Sequence, residues 1–217
     1  MKIDLVIFDC DGVLVDSEPI SNNIFCNMLQ EISIDIDTEK TERLFKGKSI
    51  KDCCNIVENK FNKTLSEKFI QDFRKRTFTA FKERLRPIHG VGKALQAIDY
   101  PLCVASSGPL RKIRLNLAIT KLDKYFNDNI FSATQLEKGK PAPDIFLHAA
   151  QKMNANPANS LVIEDSEPGV KAGLSAKMQV LFYSKSAKNL SYDKFENVIY
   201  FTDMKLLPDI IENLNEN

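Results

Sequence analysis

Long hydrophobic runs are missing from this 217-residue chain. No apolar stretch approaches the roughly 18 residues that a membrane span needs. The opening residues carry no signal-peptide-like apolar region, so a cytoplasmic protein with no membrane partner is expected. Histidine is scarce, with only His89 and His148 present. Neither stands near a nucleophile-like motif, which leaves a Ser-His-Asp or Cys-His mechanism without support. The five cysteines (Cys10, Cys26, Cys53, Cys54, Cys103) are odd in number and show no C-x-x-C spacing. They read as reduced thiols and exclude a disulfide framework or a zinc site. An excess of charge is absent too: 30 Lys and Arg face 29 Asp and Glu, for a net charge of +1. No broad cationic surface follows, so nucleic acid is not an expected partner. No internal repeat or low-complexity segment is apparent.

What is present describes a globular protein, with 43% hydrophobic and 27% charged residues. The length suits one or two domains, and a monomer is favoured. Short apolar runs recur at Leu5–Phe8, Leu102–Ala105, Asn129–Ser132, Leu161–Ile163, Val180–Tyr183 and Val198–Phe201. Each has the length of a buried strand, and amphipathic segments separate most of them. Helical candidates are Gly90–Ile98, Pro109–Leu117, Pro143–Met153, Ser166–Ala176 and Asp203–Asn213. The alternation predicts an α/β fold, a parallel sheet with helices on both faces. From Ser17 to Arg86 the rhythm breaks, with helical patterns at Ile20–Ile32, Ser49–Lys60 and Ser66–Arg84 and no convincing strand. Ser17-Glu18-Pro19 is a good helix start. The expected organisation is therefore an α/β core of residues 1–16 and 87–217, with residues 17–86 inserted as a helical second domain.

Chemistry gathers at the ends of the predicted strands, where open parallel sheets bind ligands. Asp9-Cys10-Asp11-Gly12 follows the first strand, and a spacing of two puts both carboxylates on one side of an extended backbone. Carboxylates held that close raise a pKa or recruit a cation. Magnesium suits such a site because it is a hard ion that prefers oxygen ligands. Ser106-Ser107-Gly108 offers a hydroxyl and amides ahead of a helix, a natural phosphate cradle. Lys140 stands in a proline-stiffened loop, Gly139-Lys140-Pro141-Ala142-Pro143. Glu164-Asp165-Ser166 adds an acidic pair after a fourth strand. Each feature alone is also what a helix cap or a solvated surface provides; their combination is specific.

In this order the four segments resemble the motifs of the haloacid dehalogenase superfamily of phosphohydrolases. They read Asp9-Cys10-Asp11-Gly12-Val13-Leu14-Val15-Asp16-Ser17, Val104-Ala105-Ser106-Ser107, Lys140-Pro141-Ala142-Pro143-Asp144 and Val162-Ile163-Glu164-Asp165-Ser166-Glu167-Pro168-Gly169. The resemblance spans almost the whole chain, and within the superfamily it is strongest to bacterial sugar-phosphate phosphatases and β-phosphoglucomutases. It implies a Rossmann-like core with a helical cap and a magnesium-dependent phosphatase acting on a small phosphorylated metabolite such as a sugar or sugar acid phosphate. In that scheme Asp9 is the nucleophile and Asp11 the general acid and base. Ser106, Ser107 and Lys140 hold phosphate, and Asp9, the Asp11 carbonyl, Asp165 and Glu164 hold magnesium. A carboxylate with a reference pKa of about 3.9 is expected to be ionised at neutral pH without an activating base. In the cap, Phe45-Lys46-Gly47-Lys48-Ser49 resembles the substrate-specificity loop, which marks Lys46, Gly47 and Lys48 as substrate-facing. Lys177 replaces the usual glycine near a helix end. Ser21 stands where the mutases carry a histidine, which favours hydrolysis over phosphate return.

Competing motifs fail on position. Gly47-Lys48-Ser49 is not a P-loop, because the first glycine of that motif falls on Glu42. Gly90-Val91-Gly92 is not a dinucleotide fingerprint, because its third glycine falls on Leu95. A receiver-type phosphoacceptor would place its acidic pair on the first strand and its lysine last, whereas here Glu164-Asp165 follows Lys140.

Overall fold

The computed structural model describes residues 2–45, 48, 50–185 and 195–216. Six strands form one parallel sheet: β1 (Leu5–Phe8), β2 (Leu102–Ser106), β3 (Ile130–Ser132), β4 (Ser160–Glu164), β5 (Gln179–Tyr183) and β6 (Val198–Phe201). They lie in the order β3-β2-β1-β4-β5-β6. The chain moves outward from β1 through β2 to β3, then crosses back to add β4 on the free side of β1. That reversal opens a crevice at the carboxyl ends of β1 and β4, the place where doubly wound sheets take their ligands.

Residues along β1 alternate between the two faces of the sheet, and both faces are covered, so the strand reads as an unbroken apolar run. Leu5 and Ile7 join Cys103, Ala105, Val162 and Val180 in a core packed under α7 (Asp144–Lys152) and α8 (Glu167–Ser175). Phe146, Ala149 and Ala150 of α7 are fully buried in it, and Met153 beyond the helix packs against it partly buried. On the other face, Phe8 meets Phe126 edge-on at 6.0 Å between ring centroids. Phe126 follows α6 (Leu110–Thr120), and α5 (Val91–Ala97) and α9 (Leu207–Glu216) complete the helices of the α/β part. Strands and helices fall within a few residues of their sequence-predicted positions.

Backbone contacts divide the chain into two compact units, Met1–Val15 with Arg86–Asn217, and Asp16–Leu85. The second unit is helical: α1 (Glu18–Glu31), α2 (Thr38–Phe45), α3 (Ile50–Phe61) and α4 (Glu67–Arg84). Its core centres on Phe25, whose ring meets Phe45, Phe69 and Phe73 edge-on at 5.0, 6.0 and 5.2 Å. Arg76 of α4 pairs with Glu31 at the end of α1. Helix α2 was not expected. It is eight residues long and mostly polar, with only Thr41 and Phe45, one turn apart, buried.

Lys177, in the turn after α8, has φ of +58°. This left-handed conformation, where a glycine would be unstrained, costs about 1–2 kcal/mol for a residue with a Cβ.

Candidate active site

Asp9 is the first residue beyond β1, and its amide extends the ladder by donating to the Ile163 carbonyl at 3.0 Å. The residue is 7% exposed. Lys140 Nζ reaches it at 2.6 Å on Oδ1 and reaches Glu164 Oε1 at 2.6 Å as well. The third donor of the same ammonium goes to the Ala105 carbonyl of β2 at 3.2 Å. A single cation thus ties together the ends of β1, β2 and β4. The Lys140 side chain is 5% exposed, and its Nζ lies 4.9 Å from the centre of the Phe146 ring of α7. Burial alone would lower its pKa, but the Asp9 and Glu164 carboxylates outweigh that and hold it above the ordinary lysine value.

Glu164 is fully buried. Its Oε2 accepts from the Asp165 amide at 2.9 Å, the Ser166 amide at 3.0 Å and Ser166 Oγ at 2.9 Å. These donors belong to the start of α8, where unsatisfied amides and the helix dipole favour an anion. Gly169 in the first turn of α8 is required by this packing, because a Cβ there would overlap the Glu164 carboxylate. With Oε1 on the lysine and Oε2 on three donors, the Glu164 side chain anchors Lys140 and the helix start, which favours Asp165 over Glu164 as the direct ligand of a cation.

The turn after Asp9 is set by Gly12, whose φ is +89°. Its amide donates to the Val15 carbonyl at 2.9 Å, and the Leu14 and Val15 amides both donate to the Cys10 carbonyl at 3.0 Å. A Cβ on Gly12 would overlap the carboxylate of Asp165. The missing side chain is what lets Asp165 lie against the Asp9–Gly12 turn. Asp11 Oδ2 accepts from Lys112 Nζ of α6 at 2.7 Å.

Ser106 ends β2 and is 2% exposed, with its Oγ accepting from the Gly108 amide at 3.2 Å. Ser107 beside it is exposed. Ser132 Oγ of β3 donates to the Gly108 carbonyl at 2.6 Å and braces this turn. Lys46 and Gly47 lie outside the described residues. Lys48 is exposed, and its amide donates to the Phe45 carbonyl at 3.1 Å.

The expected groups from four strand ends are therefore brought together: Asp9, Asp11, Ser106, Lys140, Glu164 and Asp165. Ser166 and Gly169 stood in the fourth motif without a role, and Lys112 and Ser132 escaped the sequence reading, where Lys112 was the harder to find. Its one available signal was the basic pair Arg111-Lys112 at a helix start.

Burial pushes the Asp9 carboxyl up to about 7, with Glu164 and Asp11 adding to the rise and Lys140 opposing it. The expectation of a fully ionised nucleophile at neutral pH is thereby corrected for the protein without a cation. Four carboxylates (Asp9, Asp11, Glu164, Asp165) share this region with two ammonium groups (Lys112, Lys140), a formal charge of about −2. A divalent cation matches that charge. Among the described residues no three His, Cys, Asp or Glu side chains form a ready-made ligand cluster. Magnesium needs no such cluster, because it keeps several waters and takes one or two carboxylates. Asp9 and Asp165, with the Asp11 carbonyl, are a donor set of that kind.

A family model described as haloacid dehalogenase-like hydrolase matches residues 6–183, which covers the sheet strands β1 to β5 and every residue above. The chain belongs to the haloacid dehalogenase-like hydrolases. It is 33% identical over 210 residues to a 6-phosphogluconate phosphatase of Escherichia coli, covering 96% of this chain and 95% of that one. It is 30% identical over 184 residues to a phosphorylated carbohydrates phosphatase of Thermotoga maritima, covering 83% and 84%. Among solved structures, a haloacid dehalogenase-like protein of unknown function from Agrobacterium tumefaciens superposes with a TM-score of 0.85 at 30% identity, over 98% of this chain and 99% of that one. The chain carries its helical segment between β1 and β2.

Proposed function

We propose that this hydrolase is a magnesium-dependent phosphatase of small phosphorylated carbohydrates, with 6-phosphogluconate as the leading substrate. The observation that carries the reading is Lys140, buried between Asp9 and Glu164 at the switch point of the sheet. A buried ammonium there both shields a carboxylate nucleophile and meets an incoming phosphoryl group. The two carbohydrate-phosphate phosphatases similar to the chain support the substrate class.

In this mechanism an oxygen of Asp9 attacks phosphorus, and the bond from phosphorus to the sugar oxygen breaks. The departing alkoxide takes a proton from Asp11, a contribution of roughly 10²–10⁴-fold for general acid catalysis. Water then gives its proton to Asp11 and attacks the aspartyl phosphate, which releases inorganic phosphate and restores Asp9. Ser106 and Lys140 hold phosphoryl oxygens, and the exposed Ser107 edges the same turn. A magnesium ion held by Asp9, Asp165 and the Asp11 carbonyl supplies positive charge against the phosphoryl oxygens when it is bound. The helical unit, residues 16–85, is given the selection of substrate in this reading, with Lys46, Gly47 and Lys48 as the residues proposed to face it.

Phosphate release from 6-phosphogluconate by the purified protein with magnesium tests the substrate, and Asp9→Asn tests the nucleophile. The variant is expected to stay folded and to lose turnover; retention of more than about one per cent refutes the assignment. A coupled assay for glucose 6-phosphate from β-glucose 1-phosphate addresses the rival mutase. Ser21, where the mutases carry histidine, predicts a negative result.

A further inference from the structure

Lys112 lies outside the four strand-end motifs, yet its Nζ stands 2.7 Å from Asp11 Oδ2. It is the third residue of α6, next to Arg111, in a first turn that holds no acidic residue. Two cations at the positive end of a helix dipole oppose local electrostatics. The pair does not explain itself by stability either. The side chains of Lys112 and Asp11 are 37% and 26% exposed, and ion pairs that open to solvent contribute little. A breach of a local rule without a stability gain marks a site requirement.

The surroundings show which requirement. A Cβ built on Gly108 would lie 3.7 Å from Lys112 Cδ, 3.7 Å from Ser106 Oγ and 3.8 Å from Asp11 Oδ2. The lysine stem, the phosphate-cradle hydroxyl and the acid thus converge over one glycine, and Ser132 pins that glycine's carbonyl from β3. We propose that Lys112 is a positioning residue for Asp11, binding Oδ2 so that the carboxylate is held over the Ser106–Gly108 turn at the leaving-group oxygen. The proposal rests on the phosphatase reading above. In that step the P–O bond to the carbon skeleton breaks, its electron pair stays on oxygen, and this oxygen takes the proton of Asp11. Lys112 keeps its own protons throughout.

The test uses the full chain with magnesium, the variants Lys112→Met and Lys112→Arg, and two esters. The alkoxide of 6-phosphogluconate needs a proton to leave, whereas the nitrophenolate of p-nitrophenyl phosphate does not. Lys112→Met is expected to lower kcat on 6-phosphogluconate by about 30-fold with KM within about threefold, and to lower kcat on p-nitrophenyl phosphate about tenfold less. Lys112→Arg restores most of the loss. In an Asp11→Asn background, Lys112→Met adds no more than about twofold, because both changes remove one function. Equal losses on the two esters, a rise of KM on both, or losses that multiply in the double variant overturn the proposal and make Lys112 a phosphate clamp. Circular dichroism melting checks the fold, and Lys112→Gln replaces the methionine variant if that one is destabilised. An active Asp9→Asn protein defeats the phosphatase mechanism itself. An inactive one, beside an unselective Lys112→Met, defeats only the role given to Lys112.

Discussion

Replacing Lys140 by methionine keeps most of the side-chain volume and removes the charge that joins β1, β2 and β4. Asp9 and Glu164, with side chains 10% and 0% exposed, are then left facing each other without their ammonium. Breaking a buried pair by removing one partner costs about 3–5 kcal/mol. With a urea dependence of about 1–3 kcal/mol per molar for small proteins, the unfolding midpoint should fall by about 1–5 M. The loss has a pH signature. The folded-state pKa of Asp9 is already raised to about 7 in the parent, and losing Lys140 removes the main influence that lowers it. A raised carboxylate pKa favours folding through the protonated form. That contribution is complete below the unfolded value of about 4 and vanishes as pH rises through the folded value. The variant's deficit should therefore be larger at pH 8 than at pH 5.5. The difference is about 1.4 kcal/mol for the first unit that the substitution adds to the Asp9 pKa, and it stops growing once that pKa passes about 8. Urea titrations of both proteins with a chelator present, followed by circular dichroism, supply the comparison. A deficit below about 1 kcal/mol, or one equal at the two pH values, refutes the account of Lys140 as the clasp of a buried anionic pair.

Two further outcomes are expected. Magnesium must displace the proton from Asp9, whose pKa is about 7 without the ion, so its apparent affinity should fall close to tenfold per pH unit below pH 6 and level off above pH 8. Calorimetric titration over that range reads it, and a flat profile removes Asp9 from the ligand set. Gly169→Ala drives a methyl group into the Glu164 carboxylate and should cost about 3 kcal/mol together with most of the activity. Gly92→Ala, in α5 with nothing within 4 Å of the new methyl, should be neutral or stabilising by up to about 1 kcal/mol. Similar melting shifts for the two glycines contradict the packing argument.

The strands were readable in the sequence because both faces of the sheet are covered, which leaves uninterrupted apolar runs such as Leu5–Phe8 and Leu161–Ile163. Asp9, Asp11 and Ser106 were readable for a related reason, since they stand at or just past the end of a run, while Lys140 was marked by its proline-stiffened loop. Three things were not. Helix α2 is only eight residues long and buries just two of them, so it offered little apolar sequence to read. The partition of Glu164 from Asp165 depends on register. Glu164 is the last residue of β4, paired with Phe182, and so stays inside the sheet, while Asp165 leaves it. Lys112 meets a partner 101 positions away, and no local pattern separates such a lysine from a solvated one. The ionisation of Asp9 was misjudged because a reference pKa holds no information about burial.

Asp165 performs two tasks with separate parts of itself. Its amide clasps Glu164, while its carboxylate crosses to the Gly12 turn. Under the magnesium role proposed for Asp165, exchanging its side chain for asparagine or glutamate retunes cation preference without loosening the lysine, whereas proline at the same place unfastens the lysine's anchor. On that reading, position 165 is an adjustable fitting on an otherwise fixed mount.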